Sequence, residues 1–271
     1  MLLSEPQASP YDWRFRFFQF PVRVTWLFWA VTAAFGYSQS LSMHHAFTIA
    51  GISSNFAGLL VVWVLTAFVS ILIHELGHAL AFRYYGIECE IVLYQMGGLA
   101  IPGSGFIWAR QGKRTRLTHQ DQLVISAAGP AIQLLLAAIV GGLAFGCGVK
   151  VFAFEWLSSL IGVQLPATRV LDNPYAFCAI NFLVGSSIYW ALLNLLPIFP
   201  LDGGQIARHL IGIVMRRDGL YEACCVGAVA GGLAAYWLLT HGGQIGGLFF
   251  ASLAYSNLQT IQSARGGGSW W

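Results

Sequence analysis

Charge is what this sequence has least of. Asp, Glu, Lys and Arg make up 9% of its 271 residues, where a soluble domain usually carries about 25%. With 57% of residues hydrophobic and a mean hydropathy of +0.66, the chain reads as a multi-span membrane protein and poorly as a soluble globule. The net charge of +3 is too small to imply a nucleic-acid partner. Cysteine is equally uninformative as chemistry. Cys89, Cys147, Cys178, Cys224 and Cys225 are odd in number and contain no C-x-x-C, so neither a disulfide framework nor a thiolate metal site is implied. They read as small apolar helix residues. The first sixteen residues include Glu5, Asp12, Arg14 and Arg16 and lack the apolar core of a cleavable signal peptide. The first span is expected to act as a signal anchor.

Residues 52–73 contain no Asp, Glu, Lys, Arg or His. This emptiness frames the one dense group that follows, His74-Glu75-Leu76-Gly77-His78, an H-E-x-x-H. On a helix the two histidines stack on one face. Imidazoles at that spacing can hold one Zn²⁺ and leave the carboxylate between them as general base. Ionisable side chains inside a membrane span are costly and functional by default, so a bilayer-embedded zinc hydrolase is the leading expectation.

The hydropathy pattern predicts an all-α polytopic membrane protein, one membrane-embedded domain over residues 1–271. Its six spans lie at about 24–41, 56–84, 123–146, 175–196, 223–240 and 244–261. Residues 1–21, with Tyr11, Trp13, Phe15, Phe17 and Phe18 around Arg14 and Arg16, suit the headgroup layer. Residues 42–54, with His44 and His45, read as a polar connection. Residues 87–101 are too short for a span. Their period-two start and Gly97-Gly98 predict a membrane-associated β-hairpin after the second span. Its open edge could hold an extended peptide by strand addition; an ordinary interfacial hairpin is the alternative. Residues 102–121 read as a surface loop, and 147–174 as a loop with an interfacial segment near 152–160. Residues 194–204 break the fourth span with two prolines and two glycines, and Arg208, Arg216, Arg217 and Asp218 fall in the next surface loop. The glycines of 231–247 favour tight packing or short turns.

With the N-terminus inside, Arg14, Arg16, Arg23, Arg83, Arg110, Lys113, Arg114, Arg116, Arg208, Arg216, Arg217 and Arg265 are cytoplasmic, and only Lys150 and Arg169 are not. The positive-inside rule supports this orientation, with both termini cytoplasmic. His78 and Asp202 then lie toward the same side.

A catalytic zinc takes three protein ligands and keeps a position for water. Asp202 is the best third ligand by depth, direction and its helix-breaking setting; His119, His209 and His241 are weaker. Glu75 would take a proton from the attacking water and pass it to the leaving amine. Asn194 could bond a neighbouring helix or the backbone of an extended substrate. Asn181 faces the same choice, and Gln133 reads as a packing hydrogen bond.

H-E-L-G-H on an early span and N-L-L-P-I-F-P-L-D-G-G at the end of a later one, 124 residues from His78 to Asp202, resemble the site-2 protease family of intramembrane zinc metalloproteases. Ala127-Ala128-Gly129-Pro130 and the Gly97-Gly98 hairpin are also similar. The resemblance covers about residues 57–212. It implies His74, His78 and Asp202 as zinc ligands, Glu75 as catalytic acid/base, and Asn194 as a substrate-binding residue. It also implies cleavage of a membrane-protein substrate's transmembrane segment near the cytoplasmic face. No insertion large enough for a PDZ domain separates the spans, and Pro200 is placed as in the compact branch with the sporulation-factor-processing and archaeal enzymes. Size and branch point to a prokaryotic plasma membrane. Substrate, trigger and oligomeric state stay open. A metal-handling transporter and a silent homologue that binds membrane helices are the alternatives. A transporter should spread ionisable residues along its spans, and here they gather at His74–His78 and Asp202.

Overall fold

The computed structural model describes residues 7–102 and 117–266. Arg110, Lys113, Arg114, Arg116, Trp270 and Trp271 lie outside them. Cα packing resolves two compact units. Among the described residues, the first runs to 102 and resumes over 131–191; the second takes 117–130 and 192–266.

The first unit opens with two strands where the sequence predicts a headgroup segment. Strand β1 (Trp13–Phe17) and strand β2 (Phe20–Val24) form a hairpin that turns through Phe18 and Gln19, both at positive φ. Right-twisted strands favour such two-residue turns. β2 then pairs in parallel with β3 (Cys89–Tyr94), Val22 opposite Ile91 and Val24 opposite Leu93. β3 pairs antiparallel with β4 (Gly97–Pro102). The expected hairpin is therefore half of a four-stranded sheet in the order β1-β2-β3-β4. Ile91, Val92 and Leu93 are all fully buried, which is why β3 loses its alternation after Glu90.

The sheet packs on two helices, α1 (Trp26–Ile49) and α2 (Phe56–Tyr84). Val22, Val24, Ile91 and Leu93 meet Phe28 from α1 and Leu72, Leu76 and Ala79 from α2. α1 continues past the predicted end of the first span, so His44 and His45 are helical rather than in a loop, and His44 Nδ1 lies 2.8 Å from Ser54 Oγ. A Cβ on Gly36 would overlap the Trp63 ring, which brings the two helices close. Asn55 caps α2, accepting from the Gly58 N–H at 3.1 Å. Helix α3 (His119–Gly146), a short α4 (Phe152–Ile161) and α5 (Pro174–Asn194) follow. Asn181 is a structural residue: it accepts from the Phe152 N–H and donates to the Lys150 carbonyl, fixing the start of α4.

Arg23 and Asp12 form an ion pair across this sheet at 3.4 Å, their side chains 4% and 1% exposed. Removing one member strands a buried charge, which typically costs about 3–5 kcal/mol. Glu90 at 3.8 Å offsets part of that. Asp12→Ala should lower the unfolding free energy by about 2–3 kcal/mol, read from thermal unfolding in detergent. An unchanged midpoint would remove the pair from the account.

The second unit contains α6 (Asp202–Met215), α7 (Leu220–Thr240) and α8 (Gln244–Gly266). Residues 202–215, expected as the start of a surface loop, are helical. α6 buries Gly203, Gly204, His209 and Gly212. Arg208 grips Asp218 with two bonds of 2.8 and 2.7 Å, and the guanidinium holds that carboxyl below its ordinary range. α7 packs on α8 through small residues, with Gly231 against Ala254 and Gly247 against Leu239.

Among the described residues, four helices are long and apolar enough to cross a membrane: α2, α3, α5 and α7. The chain is thus a mostly helical protein with four candidate spans and a small sheet. α5 ends at Asn194 rather than 196, and α7 begins at Leu220 rather than 223.

Candidate metal centre

The last turns of α2 are its most buried part. His74, Glu75 and His78 are 2%, 4% and 6% exposed. One helical turn separates the histidines, so their rings lie on one face, meeting edge to face, and the two Nε2 atoms are 3.2 Å apart. Bonds of 2.0–2.1 Å to a tetrahedral zinc would place two imidazole nitrogens about 3.3 Å apart. The pair has the spacing that a shared ion requires.

His74 is also held from behind. Its Nδ1 is 2.9 Å from Oε1 of Gln133 on α3, and Gln133 is fully buried.

Glu75 points away from that bond, toward the sheet. Its side chain lies against Gly98 of β4, where a Cβ would come within 2.6 Å of Glu75 Cδ and 2.5 Å of Oε1. Glycine at 98 is the condition for Glu75 to occupy this position. Gly97 has a φ of +121°, and a Cβ there would press on the Trp190 ring. The two glycines therefore have separate reasons: one makes room for a carboxylate, the other turns the hairpin under an indole. Burial, with the Glu75 charge adding to it, pushes the nearby Tyr94 phenol up to about 12.

Gly98→Ala should displace Glu75 while leaving the histidines in place. A misplacement of about 1 Å in a catalytic group can cost about 100-fold. If Glu75 serves as the acid/base that the resemblance implies, hydrolysis should fall by about that factor with zinc content unchanged. Wild-type turnover in the alanine variant would contradict this reading of Gly98.

In the second unit, Asp202 is the first residue of α6, where the helix dipole favours an ionised carboxylate. The Asp-Gly-Gly run has a steric cause. A Cβ on Gly203 would overlap the carbonyls of Leu195 and Leu196, and one on Gly204 would overlap the backbone of Ile198 and Phe199. α6 therefore starts folded back on the Pro-rich segment. Asn257 on α8, 1% exposed, donates to the Phe199 carbonyl and holds that segment from the other side. Sequence reasoning missed Asn257, because an Asn in an apolar helix looks the same whatever it bonds. Asn194 is buried at the end of α5. His119 and His209 face each other, Nδ1 to Nδ1 at 3.1 Å, and burial, Arg208 and His119 hold His209 below the ordinary imidazole range. His241 is exposed beyond the end of α7 and stacks on Trp237.

The model of peptidase family M50 matches residues 62–230, more than half of the chain and the whole stretch from α2 into α7. Rip3 of Mycobacterium tuberculosis is 31% identical over 195 residues, a match covering 69% of this chain and 41% of that protein. Zinc metalloprotease MJ0392 of Methanocaldococcus jannaschii is 24% identical over 176 residues, covering 65% and 41%. The chain thus spans less than half the length of these curated relatives. The solved structure of a site-2 protease from M. jannaschii superposes with a TM-score of 0.50 at 19% identity, over 93% of this chain and 95% of that one, and shares the fold.

Proposed function

The chain belongs to peptidase family M50, and on that premise we propose that it is an intramembrane zinc metalloprotease, hydrolysing a peptide bond in or near the transmembrane segment of a membrane-protein substrate. The observation that carries the reading is the buried H-E-x-x-H: two Nε2 atoms at the separation of a shared zinc, beside a carboxylate lodged against a glycine.

His74, His78 and Asp202 would hold the metal. Two imidazoles and one carboxylate form a donor set suited to catalytic zinc. Zinc, when bound, supplies Lewis acidity that polarises a carbonyl and acidifies a water. Glu75 would accept a proton from the attacking water and deliver it to the leaving amine. Glu75 is buried, which keeps bulk water from the carboxylate. β4 is an edge of the sheet, and an extended substrate segment would add to it beside Gly97 and Gly98. Asn194 would bond the substrate backbone.

In the bilayer, α1 and α8 join α2, α3, α5 and α7 as spans. At 24 and 23 residues both exceed the roughly 20 that a crossing needs. The six then make one membrane-embedded domain with both termini cytoplasmic, as twelve of the fourteen basic residues favour, in a prokaryotic plasma membrane.

The test is cleavage of a reporter with one transmembrane helix by purified protein in detergent, before and after chelation. Chelation should abolish cleavage and zinc should restore it. Undiminished cleavage by protein stripped of zinc would refute the proposal.

A further inference from the structure

We propose that Gln133 is a positioning residue for the metal centre: its side-chain carbonyl fixes the tautomer and ring orientation of His74, so that Nε2 is presented to the metal. The inference rests on the reading of His74 as a ligand.

The two ends of the Gln133 side-chain amide face different groups. One end of the side-chain amide lies 2.9 Å from His74 Nδ1. The other lies 2.8 Å from Ser70 Oγ and 3.4 Å from the Ser70 backbone carbonyl. A backbone carbonyl only accepts, so the end facing Ser70 must be the NH₂. The end facing His74 is then the oxygen, which also only accepts. His74 must therefore carry its proton on Nδ1 and donate it. A neutral imidazole with the proton on Nδ1 has its lone pair on Nε2, the atom that faces His78 Nε2.

The amide has no freedom to exchange its ends. Ser70 Oγ, accepting from Gln133, is 2.8 Å from Ser187 Oγ. The chain of bonds runs from His74 on α2 to Gln133 on α3, back to Ser70 one turn earlier on α2, and across to Ser187 on α5. Ser70, Gln133 and Ser187 are 1%, 0% and 0% exposed, so bulk water does not compete for these groups. The histidine's outer partner is thereby fixed from three helices. Metal-bound histidines commonly donate their second nitrogen to a carboxylate or carbonyl, and loss of that partner lowers metal affinity about 10–100-fold. A glutamine in an apolar helix can also serve only to join two helices. That role would not depend on which imidazole nitrogen carries the proton, and this separates the two.

The experiment uses full-length protein in detergent, with zinc affinity measured by chelator competition. The His74 tautomer is read from ¹⁵N-labelled imidazoles in metal-free protein. Wild type should show the proton on Nδ1. Gln133→Leu should raise the zinc Kd about 10–100-fold and let the proton move to Nε2. Gln133→Glu, whose carboxylate accepts the same bond, should keep the proton on Nδ1 and lose less affinity than Gln133→Leu. Ser70→Ala removes the anchor of the amide without touching His74 and should raise the Kd in the same direction, which covers the case of a leucine variant that does not fold.

Wild-type affinity and an unmoved proton in Gln133→Leu would overturn the proposal, as would Gln133→Glu losing as much affinity as Gln133→Leu. His74→Ala separates the levels. If it loses zinc while Gln133→Leu does not, only the role of Gln133 fails. If it binds zinc as wild type does, the ligand reading fails and takes this inference with it.

Discussion

Glu75→Gln should keep its zinc and stop cutting. Glutamine has the shape of glutamate, so it fits against Gly98 as the carboxylate does and leaves the packing of α2 unchanged. It cannot accept a proton. General acid–base catalysis by a placed group contributes about 10²–10⁴-fold, and Glu75 is assigned both transfers, so loss toward the upper end is expected. Zinc stoichiometry should equal that of wild type, because the ligand set omits Glu75. A Glu75→Gln enzyme that cut the reporter at the normal rate would remove Glu75 from the mechanism, however well the metal were bound.

Asp202→Ala should lose the metal itself. With one of the three proposed ligands gone, zinc affinity should fall by more than the roughly 100-fold that outer-shell changes reach, and cleavage should vanish with it. The substitution also removes a carboxylate from the first turn of α6. That interaction is worth about 0.3–1 kcal/mol, whereas 100-fold in affinity is about 2.8 kcal/mol, so an effect of the expected size cannot come from the helix end. Equilibrium dialysis at limiting zinc reads it. Unchanged stoichiometry would move the third ligand to another side chain.

The site was legible in the sequence where local spacing carries the chemistry. H-E-x-x-H places two imidazoles on one face through helical geometry alone, and Gly97-Gly98 marks a turn. Contacts between segments far apart in the chain were not legible. Gln133 meets His74 across 59 residues, and nothing near either one distinguishes that bond from ordinary packing. The sheet shows a different limit. Trp13-Arg14-Phe15-Arg16-Phe17 alternates as a strand should, yet aromatics with arginine also suit a headgroup layer. Pro21 counts against a strand, but it precedes Val22–Val24, the part of β2 that pairs with β3. α6 was obscured by its glycines, which look like a loop until the carbonyls of Leu195 and Leu196 show why no side chain fits at 203.

Hydrolysis inside the bilayer would be read from the position of the cut in a single-helix reporter co-reconstituted with wild-type protein in liposomes, by mass spectrometry of the product termini. New termini are expected within the reporter's apolar span, toward its cytoplasmic end, and none in zinc-stripped vesicles. Termini confined to the reporter's soluble flanks, or no cut by zinc-loaded protein on any helical reporter, would contradict it.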